Sequence, residues 1–272
     1  MNWDGATAVV TGASRGIGRA VAKQAAAKGA RVGLVARSKD DLDIVLADIG
    51  GRGVVAPADI AVRQQVTDAI KAIEAELGPV DVLVANAGIG AYGPVVDMSY
   101  EEIERVVGVN VLGTMYAIRA VLPGMVGRRR GHIVTIGSIA GRIGSPFEAV
   151  YSATKFGLRA FTFALAEELE GSGITLSAVS PGPVDTGFIM EDLDEVPDLV
   201  FSQPMSSAED IARGILDCAA DGVLERTIPQ LTGYLATAGY MLPALRKLIF
   251  PIMERRGKEA KEAYRKRRAA VA

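Results

Sequence analysis

The stretch "TAVVTGASRGIGRAVAKQAAAKG", residues 7–29, decides the fold. An apolar β-branched run gives way to a glycine-rich turn and then to an alanine-rich helical pattern. Gly12, Gly16 and Gly18 stand at the junction, spaced G-x-x-x-G-x-G. There the first glycine permits a tight turn, the second lets backbone approach a pyrophosphate, and the third lets helix pack on strand. The helix N-terminus offers free N–H groups and a positive dipole end to phosphate. Glycine triplets also occur in ordinary turns, so the setting between strand and helix carries the inference.

The same alternation continues outward. "ARVGLVAR" (30–37) precedes "SKDDLDIVLADIG", and "GVVAPADI" (53–60), "VDVLVANAG" (80–88), "GHIVTIGS" (131–138) and "ITLSAVSPG" (174–182) follow. Near-continuous apolar strands between helical stretches predict an α/β fold, a single doubly wound domain with a parallel sheet of about seven strands covered on both faces. The segment 186–206 is acidic and interrupted by Pro197 and Pro204, which predicts a mobile lid over a substrate. "SAEDIARGILDCAADG" (207–222) predicts a helix. Residues 227–245 carry no charge before Lys/Arg resume and predict a last strand plus an apolar helix. Their prolines and glycines make a membrane span poor. The boundaries are a catalytic domain over 1–226 and an extension over 227–272 packed on it.

A chain of 272 residues needs no second core. Net charge is −2, against a nucleic-acid binder, while hydrophobic content of 49% and charged content of 23% are ordinary for a soluble protein. One cysteine, Cys218, excludes an internal disulfide and fits a reducing, cytoplasmic setting. One histidine, His132, leaves no His-rich metal site and predicts no metal. "MNWDGATAVV" shows no secretory signal. Charge is uneven, because residues 243–272 hold ten Lys/Arg against three Asp/Glu.

An acid at the end of the second strand binds ribose hydroxyls, whereas a base there pairs with a 2′-phosphate. "LVARS" presents Arg37 and no acid before Asp40, and Arg15 in the glycine loop adds a second cation. Arginine's fork suits phosphate, so NADP(H) is predicted over NAD(H). In "VYSATKFG" (150–157), Tyr151 and Lys155 lie one helical turn apart. A hydride delivered to a carbonyl leaves an alkoxide that needs an acid. Free tyrosine has a pKa of about 10, and a nearby ammonium lowers it.

Taken in order, "TGASRGIG" (11–18), "ADI" (58–60), "NAG" (86–88), "VNVLG" (109–113), "IGS" (136–138), "YSATK" (151–155) and "PGPVDT" (181–186) resemble the short-chain dehydrogenase/reductase family. The likeness covers nearly 180 residues and loosens after 186. It implies a Rossmann fold and a catalytic set of Tyr151 as acid/base, Lys155 as its activator, Ser138 orienting substrate, and Asn110 as fourth member of a proton relay. Asn110 would sit mid-helix, where its side chain or a local bulge can hold water. For the cofactor it implies Gly12, Ser14, Arg15, Gly16, Ile17, Gly18 and Arg37 at the phosphates. It further implies Asp59 and Ile60 at the adenine, Asn86, Ala87 and Gly88 beside the ribose, and Tyr151, Lys155, Pro181, Gly182 and Thr186 at the nicotinamide end.

Tyr92, Ile139, Ile143, Phe147, Phe188, Ile189 and Met190 are expected to wall an apolar substrate pocket with few fixed charges. That predicts reduction of a lipophilic ketone, 3-oxoacyl or steroid-like carbonyl. Alternatives are oxidation of a secondary alcohol, or an idle NADP-binding sensor, which the intact Ser138–Tyr151–Lys155 set disfavours. A methyltransferase would leave the Tyr–Lys pair unexplained. In the tail, Leu245, Leu248, Ile249, Ile252 and Met253 can share a helical face ringed by Arg246, Lys247, Arg255 and Arg256, with Pro251 kinking or ending the helix. It could lie on the inner face of an anionic membrane, contact another subunit, or remain solvated. The family resemblance implies a homodimer or homotetramer through helices spanning about 99–127 and 149–172.

Overall fold

The structure, a computed structural model, describes residues 2–191 and 193–269, with side chains except those of Leu245 and residues 267–269. From β1 (Thr7–Thr11) the chain turns at Gly12 into α1 (Gly16–Ala27), then runs through β2 (Arg31–Ala36), α2 (Lys39–Asp48), β3 (Gly53–Pro57) and α3 (Arg63–Leu77). β4 (Val82–Ala85) leads to α4 (Tyr100–Val107), a π-helical turn (Gly108–Gly113) and α5 (Thr114–Arg128). β5 (Gly131–Ile136), α6 (Ala149–Glu168) and β6 (Ile174–Pro181) follow. The chain ends through α7 (Gly187–Met190), α8 (Ala208–Asp221), β7 (Glu225–Ile228), α9 (Gln230–Met241) and α10 (Pro243–Ala269).

The seven strands pair in the order β3-β2-β1-β4-β5-β6-β7, all parallel. Both faces are covered, which explains why the strands read as unbroken apolar runs rather than alternating ones. Along β1, Val10 enters the core beside α1 and α8 while Val9 enters the core beside α3 and α5. Leu34 and Val35 divide in the same way on β2. Gly33 is needed at this crossing, since a Cβ there would stand 2.6 Å from Ile73 Cγ2 on α3. Helix starts follow local chemistry: the Ser38 and Ser207 side chains accept from the backbone N–H groups of Asp41 and Asp210, and Ser99 forms a reciprocal capping box with Glu102. Strand order reverses between β1 and β4, so a crevice opens outside their carboxyl ends.

The C-terminal part adds detail that the sequence did not carry. β7 begins at Glu225 and pairs Ala178 with Glu225 through Pro181 with Ile228, so a boundary at 226 falls inside a sheet strand. Helix α10 continues through Pro251 without ending there. A proline removes one intrahelical hydrogen bond, and this helix is held by what it packs against. It packs against the segment 186–206, which is an anchored element rather than a mobile lid. There Ile189, Leu193, Val196 and Phe201 are buried together, with Ala260 and Tyr264 of α10 against them. A bridge between Val184 and Ser206 closes the base of this segment. Of the proposed apolar face on the tail, Leu248 and Ile252 are exposed, and the side chain of Leu245 lies outside the described residues.

Candidate active site

A cavity of about 1480 Å³ lies along the carboxyl ends of the strands. It runs from the glycine turn, past β4 and β5, to α9 and α10, and its lining includes every cofactor position inferred from the sequence except Gly18. Gly18 is a packing residue, because a Cβ on it would meet Asn86 Nδ2 at 2.7 Å. At Gly12, where φ is +66°, a Cβ would stand 2.9 Å from both Ala87 Cα and Asn86 Nδ2. The turn and the end of β4 are therefore in direct contact. Asn86 ties them together: its Nδ2 donates to Thr11 O at 2.9 Å and Gly12 O at 3.2 Å. That side chain shapes the loop, and its donors are already spent within the protein.

Ser14, Arg15, Gly16 and Ile17 line the near end, with Arg37 at the tip of β2. Arg37 is exposed to the cavity and forms no ion pair among the described residues. Arg15 differs from expectation, because its Nη1 reaches Glu191 Oε1 at 2.6 Å. Its charge already has a partner on the segment that crosses the cavity. Asp59 caps its own turn by accepting from Ala61 N at 2.9 Å, beside Ile60. On the far rim Pro181 ends β6, Gly182 donates to Ile228 O at 2.8 Å, and Thr186 opens α7. Thr186 sits over the glycine turn, 3.4 Å from where a Gly16 Cβ would be.

The catalytic candidates converge at the middle. Ser138 follows β5 in extended backbone, and Tyr151 and Lys155 occupy the first turns of α6, both buried. Lys155 Nζ donates to Ile136 O at 2.8 Å and lies 5.6 Å from the Tyr151 ring centroid. Gly88 faces them, and a Cβ there would stand 3.3 Å from Asn110 Oδ1 and 3.6 Å from Lys155 Nζ. Burial lowers the Lys155 pKa to about 8, which leaves the ammonium predominant at neutral pH. Burial also pushes the Tyr151 hydroxyl well above its ordinary value; a hydrogen bond with Ser138 pulls it down, and the nearby Glu148 carboxyl adds a smaller upward push. Without the cofactor's positive charge beside it, desolvation of the phenol outweighs the Ser138 hydrogen bond. Tyr151 is thereby held as a protonated donor.

Asn110 falls within the π-helical turn, the local bulge anticipated from the sequence. Its Nδ2 donates to Ile89 O at 3.0 Å and Thr154 Oγ1 at 3.2 Å, and its Oδ1 accepts from Ile89 N at 2.8 Å. These bonds use both donors, so its side chain braces the Gly88 loop against α6.

The substrate end also departs from the sequence reading. Tyr92, Ile139, Ile143, Phe188 and Ile189 line the cavity. Phe147 does not, being 54% exposed with φ +62°, and Met190 packs instead on the Ile189–Phe201 cluster. The missing wall comes from residues far along the chain, namely Leu199, Val200, Leu235, Ile249, Phe250 and Met253. Charges are present too: Glu148, Arg246 and Arg256 line the space, with Arg246 donating to Gly144 O. Glu148 is buried, and burial lifts its pKa to about 7 against the pull of a Ser145 hydrogen bond. Its only sequence trace was an acid three places before Tyr151.

The profile of the family described as short chain dehydrogenase matches residues 6–196. The chain belongs to the short-chain dehydrogenase/reductase family. A glycine betaine reductase of Emericella nidulans is 39% identical over 219 residues, covering 78% of this chain and 17% of that protein. The 3-oxoacyl-acyl-carrier-protein reductase FabG of Escherichia coli is 34% identical over 225 residues, 81% of this chain and 92% of that one. Among solved structures, a short-chain dehydrogenase/reductase from Burkholderia phymatum in complex with NAD superposes with TM-score 0.81 at 25% identity, covering 90% of this chain and 96% of that one. A metagenomic short-chain oxidoreductase in complex with NADP gives TM-score 0.72 at 30% identity, covering 84% and 97%. This short-chain dehydrogenase/reductase is thus an oxidoreductase that uses a pyridine nucleotide. The residues present fit such a group: the glycine turn and the start of α1 line one end of the cavity with Ser14, Arg15, Gly16 and Ile17, and Arg37 stands in the cavity without an ion pair among the described residues. Among the described residues no cluster of His, Cys, Asp or Glu could hold a metal.

Proposed function

We propose that this chain reduces the carbonyl of a lipophilic substrate to a secondary alcohol with NADPH. The observation that carries the reading is one continuous cavity with Arg37 at one end, Ser138, Tyr151 and Lys155 in the middle, and aliphatic and aromatic side chains at the other. When bound, the nicotinamide supplies hydride. Ser138 donates to the carbonyl oxygen and orients it, and Tyr151 transfers its proton to the oxygen as negative charge develops there. Lys155, anchored on Ile136 O, opposes the charge left on the phenolate. At neutral pH the Tyr151 hydroxyl is protonated and so carries the proton that the reduced oxygen needs. Arg37, with no acid at the end of β2, supports the 2′-phosphate, and the Arg15–Glu191 pair leaves Arg37 as the principal cation for it.

The test is NADPH oxidation against ketones graded in length and polarity. Turnover should vanish in Tyr151→Phe while NADPH still binds; turnover that persists refutes the mechanism. Arg37→Ala should weaken NADPH binding by roughly 10–100-fold, the loss of a charge-assisted hydrogen bond, and leave NADH nearly unchanged. Equal weakening of both cofactors would remove the NADP preference.

A cytoplasmic setting, a homodimer or homotetramer, and a peripheral contact with an anionic membrane belong to the same reading. Val107, Leu112 and Val126 are exposed along the α4–α5 rod, which supports assembly there, and light scattering would report its size. Leu231, Tyr234, Leu235, Met241, Leu242, Leu248 and Ile252 are exposed on α9 and α10 beside Lys247, and these support the membrane contact. Flotation with anionic and neutral vesicles tests it, and absence of binding to both removes it. At 12 residues α9 is too short to span.

A further inference from the structure

Lys261 is buried 33 residues beyond the end of the sheet, at 5% exposure, in a stretch of chain otherwise rich in solvated charge. Its Nζ donates to Val196 O at 2.6 Å and Asp194 O at 3.2 Å, lies 3.3 Å from Asp198 Oδ1, and stands 5.8 Å from the Phe201 ring centroid. Two of the ammonium's three donors are thus used on backbone carbonyls, and its charge is paired with the Asp198 carboxylate. A turn later, Tyr264 meets the Phe201 ring at 6.0 Å and Arg265 Nη2 approaches Asp194 Oδ1 at 2.6 Å. Gly257 lets the helix backbone lie directly on the turn at Asp198, since a Cβ there has no room. The second half of α10 is therefore pinned to the segment 194–202.

The first half of the same helix faces the cavity with Ile249, Phe250 and Met253, and the pinned segment faces it with Leu199 and Val200. Neither wall belongs to the sheet. Between its base bridge at Val184–Ser206 and its tip, the segment has no strand partner among the described residues. A buried ammonium whose acceptors are all carbonyl and carboxylate oxygens of one loop fixes that loop with a geometry that apolar packing alone would leave loose.

We propose that Lys261 is a positioning residue that sets the size of the substrate end of the cavity and so selects for long apolar carbonyl compounds. This rests on the reductase reading. Removing the ammonium leaves three oxygens unpaired and lets the outer wall drift, while Ser138, Tyr151, Lys155 and Arg37, at the sheet, keep their places.

The experiment compares full-length wild type with Lys261→Met and, as a milder change on the loop side, Asp198→Asn. Hydrogen–deuterium exchange is read over residues 193–203, and KM and kcat are measured with acetone, cyclohexanone and long-chain methyl ketones. Exchange in 193–203 should rise at least tenfold in Lys261→Met and less in Asp198→Asn, with the strands and NADPH affinity unchanged. KM for the long-chain ketones should rise about tenfold while kcat, and KM for the small ketones, stay near wild type. Unchanged exchange over 193–203 in both variants overturns the proposal whatever the enzyme reduces. Faster exchange with KM rising equally for small and long ketones overturns the selective role. No turnover by wild type on any ketone bears on the reductase reading alone, since the exchange measurement stands without it.

Discussion

Replacing Glu148 by glutamine should make the protein more stable, by an amount that grows from about pH 4.5 and is complete above pH 7. Glu148 lines the cavity, is buried at 6% exposure, and forms no ion pair among the described residues. Burial raises its pKa from 4.5 to about 7. Between those values the folded protein holds a proton that the unfolded chain has released. Stability therefore falls as pH rises through this window, and the full penalty is in place above pH 7. The displacement corresponds to about 3 kcal/mol. Glutamine preserves the shape, still accepts from Ser145, and never ionises. His132 complicates the absolute curve, because burial lowers its pKa from 6.5 to about 4 and stability is lost as pH falls through that range. The two slopes oppose each other where they overlap, so the wild-type curve should be nearly flat there. The difference between variant and wild type removes the His132 contribution. Urea unfolding at about pH 5 and about pH 8 is the assay: the stability difference should grow by about 2–3 kcal/mol toward the higher pH. The same difference at both pH values would refute the assignment of Glu148 as the buried titrating group.

Two further substitutions probe the frame. Asn110→Leu strands the Ile89 N–H and carbonyl and leaves Thr154 without its donor; a loss of about 3 kcal/mol is expected by urea unfolding, with faster amide exchange at residues 88–90. Wild-type stability in that variant would mean the brace carries nothing. Leu34→Ala empties a fully buried site on β2 and should cost about 3 kcal/mol, measured by the same unfolding, while NADPH affinity holds. A loss below about 1 kcal/mol would mean the core there relaxes around the gap.

The sheet and the cofactor end were legible because they are written locally. Strands buried on both faces read as apolar runs, and the glycine turn, Arg37 and the Tyr151–Lys155 pair each depend on residues within a turn or two of one another. Seven strands and their helices follow from that. What sequence spacing could not reach was chemistry made by distant partners. Arg15 looked like a free cation until Glu191 met it across 176 positions. The acceptors that the Asn110 amide finds on Ile89 and Thr154 lie 21 and 44 positions away, out of reach of any local pattern. The segment 186–206 read as mobile because its prolines and acids are local features, while the lysine and tyrosine that hold it stand more than 50 residues later. Phe147, an aromatic beside the catalytic helix, was assigned to the pocket although its backbone turns it outward. Dehydration of the Tyr151 hydroxyl left no sign in the sequence, whereas the ammonium one turn away did.

The cavity's two ends have different ancestries within the chain. The reacting atoms and most of the cofactor contacts come from residues before 187, whereas much of the surface a substrate's body would touch comes from 188–256. Which reaction is performed and which molecule undergoes it are thus inherited on separable lengths of the gene. Replacement or drift in the last third can retune substrate preference while leaving the proton chemistry untouched. Duplicates of such a gene have a short route to new substrates, through changes around β7 that leave β1 to β6 untouched.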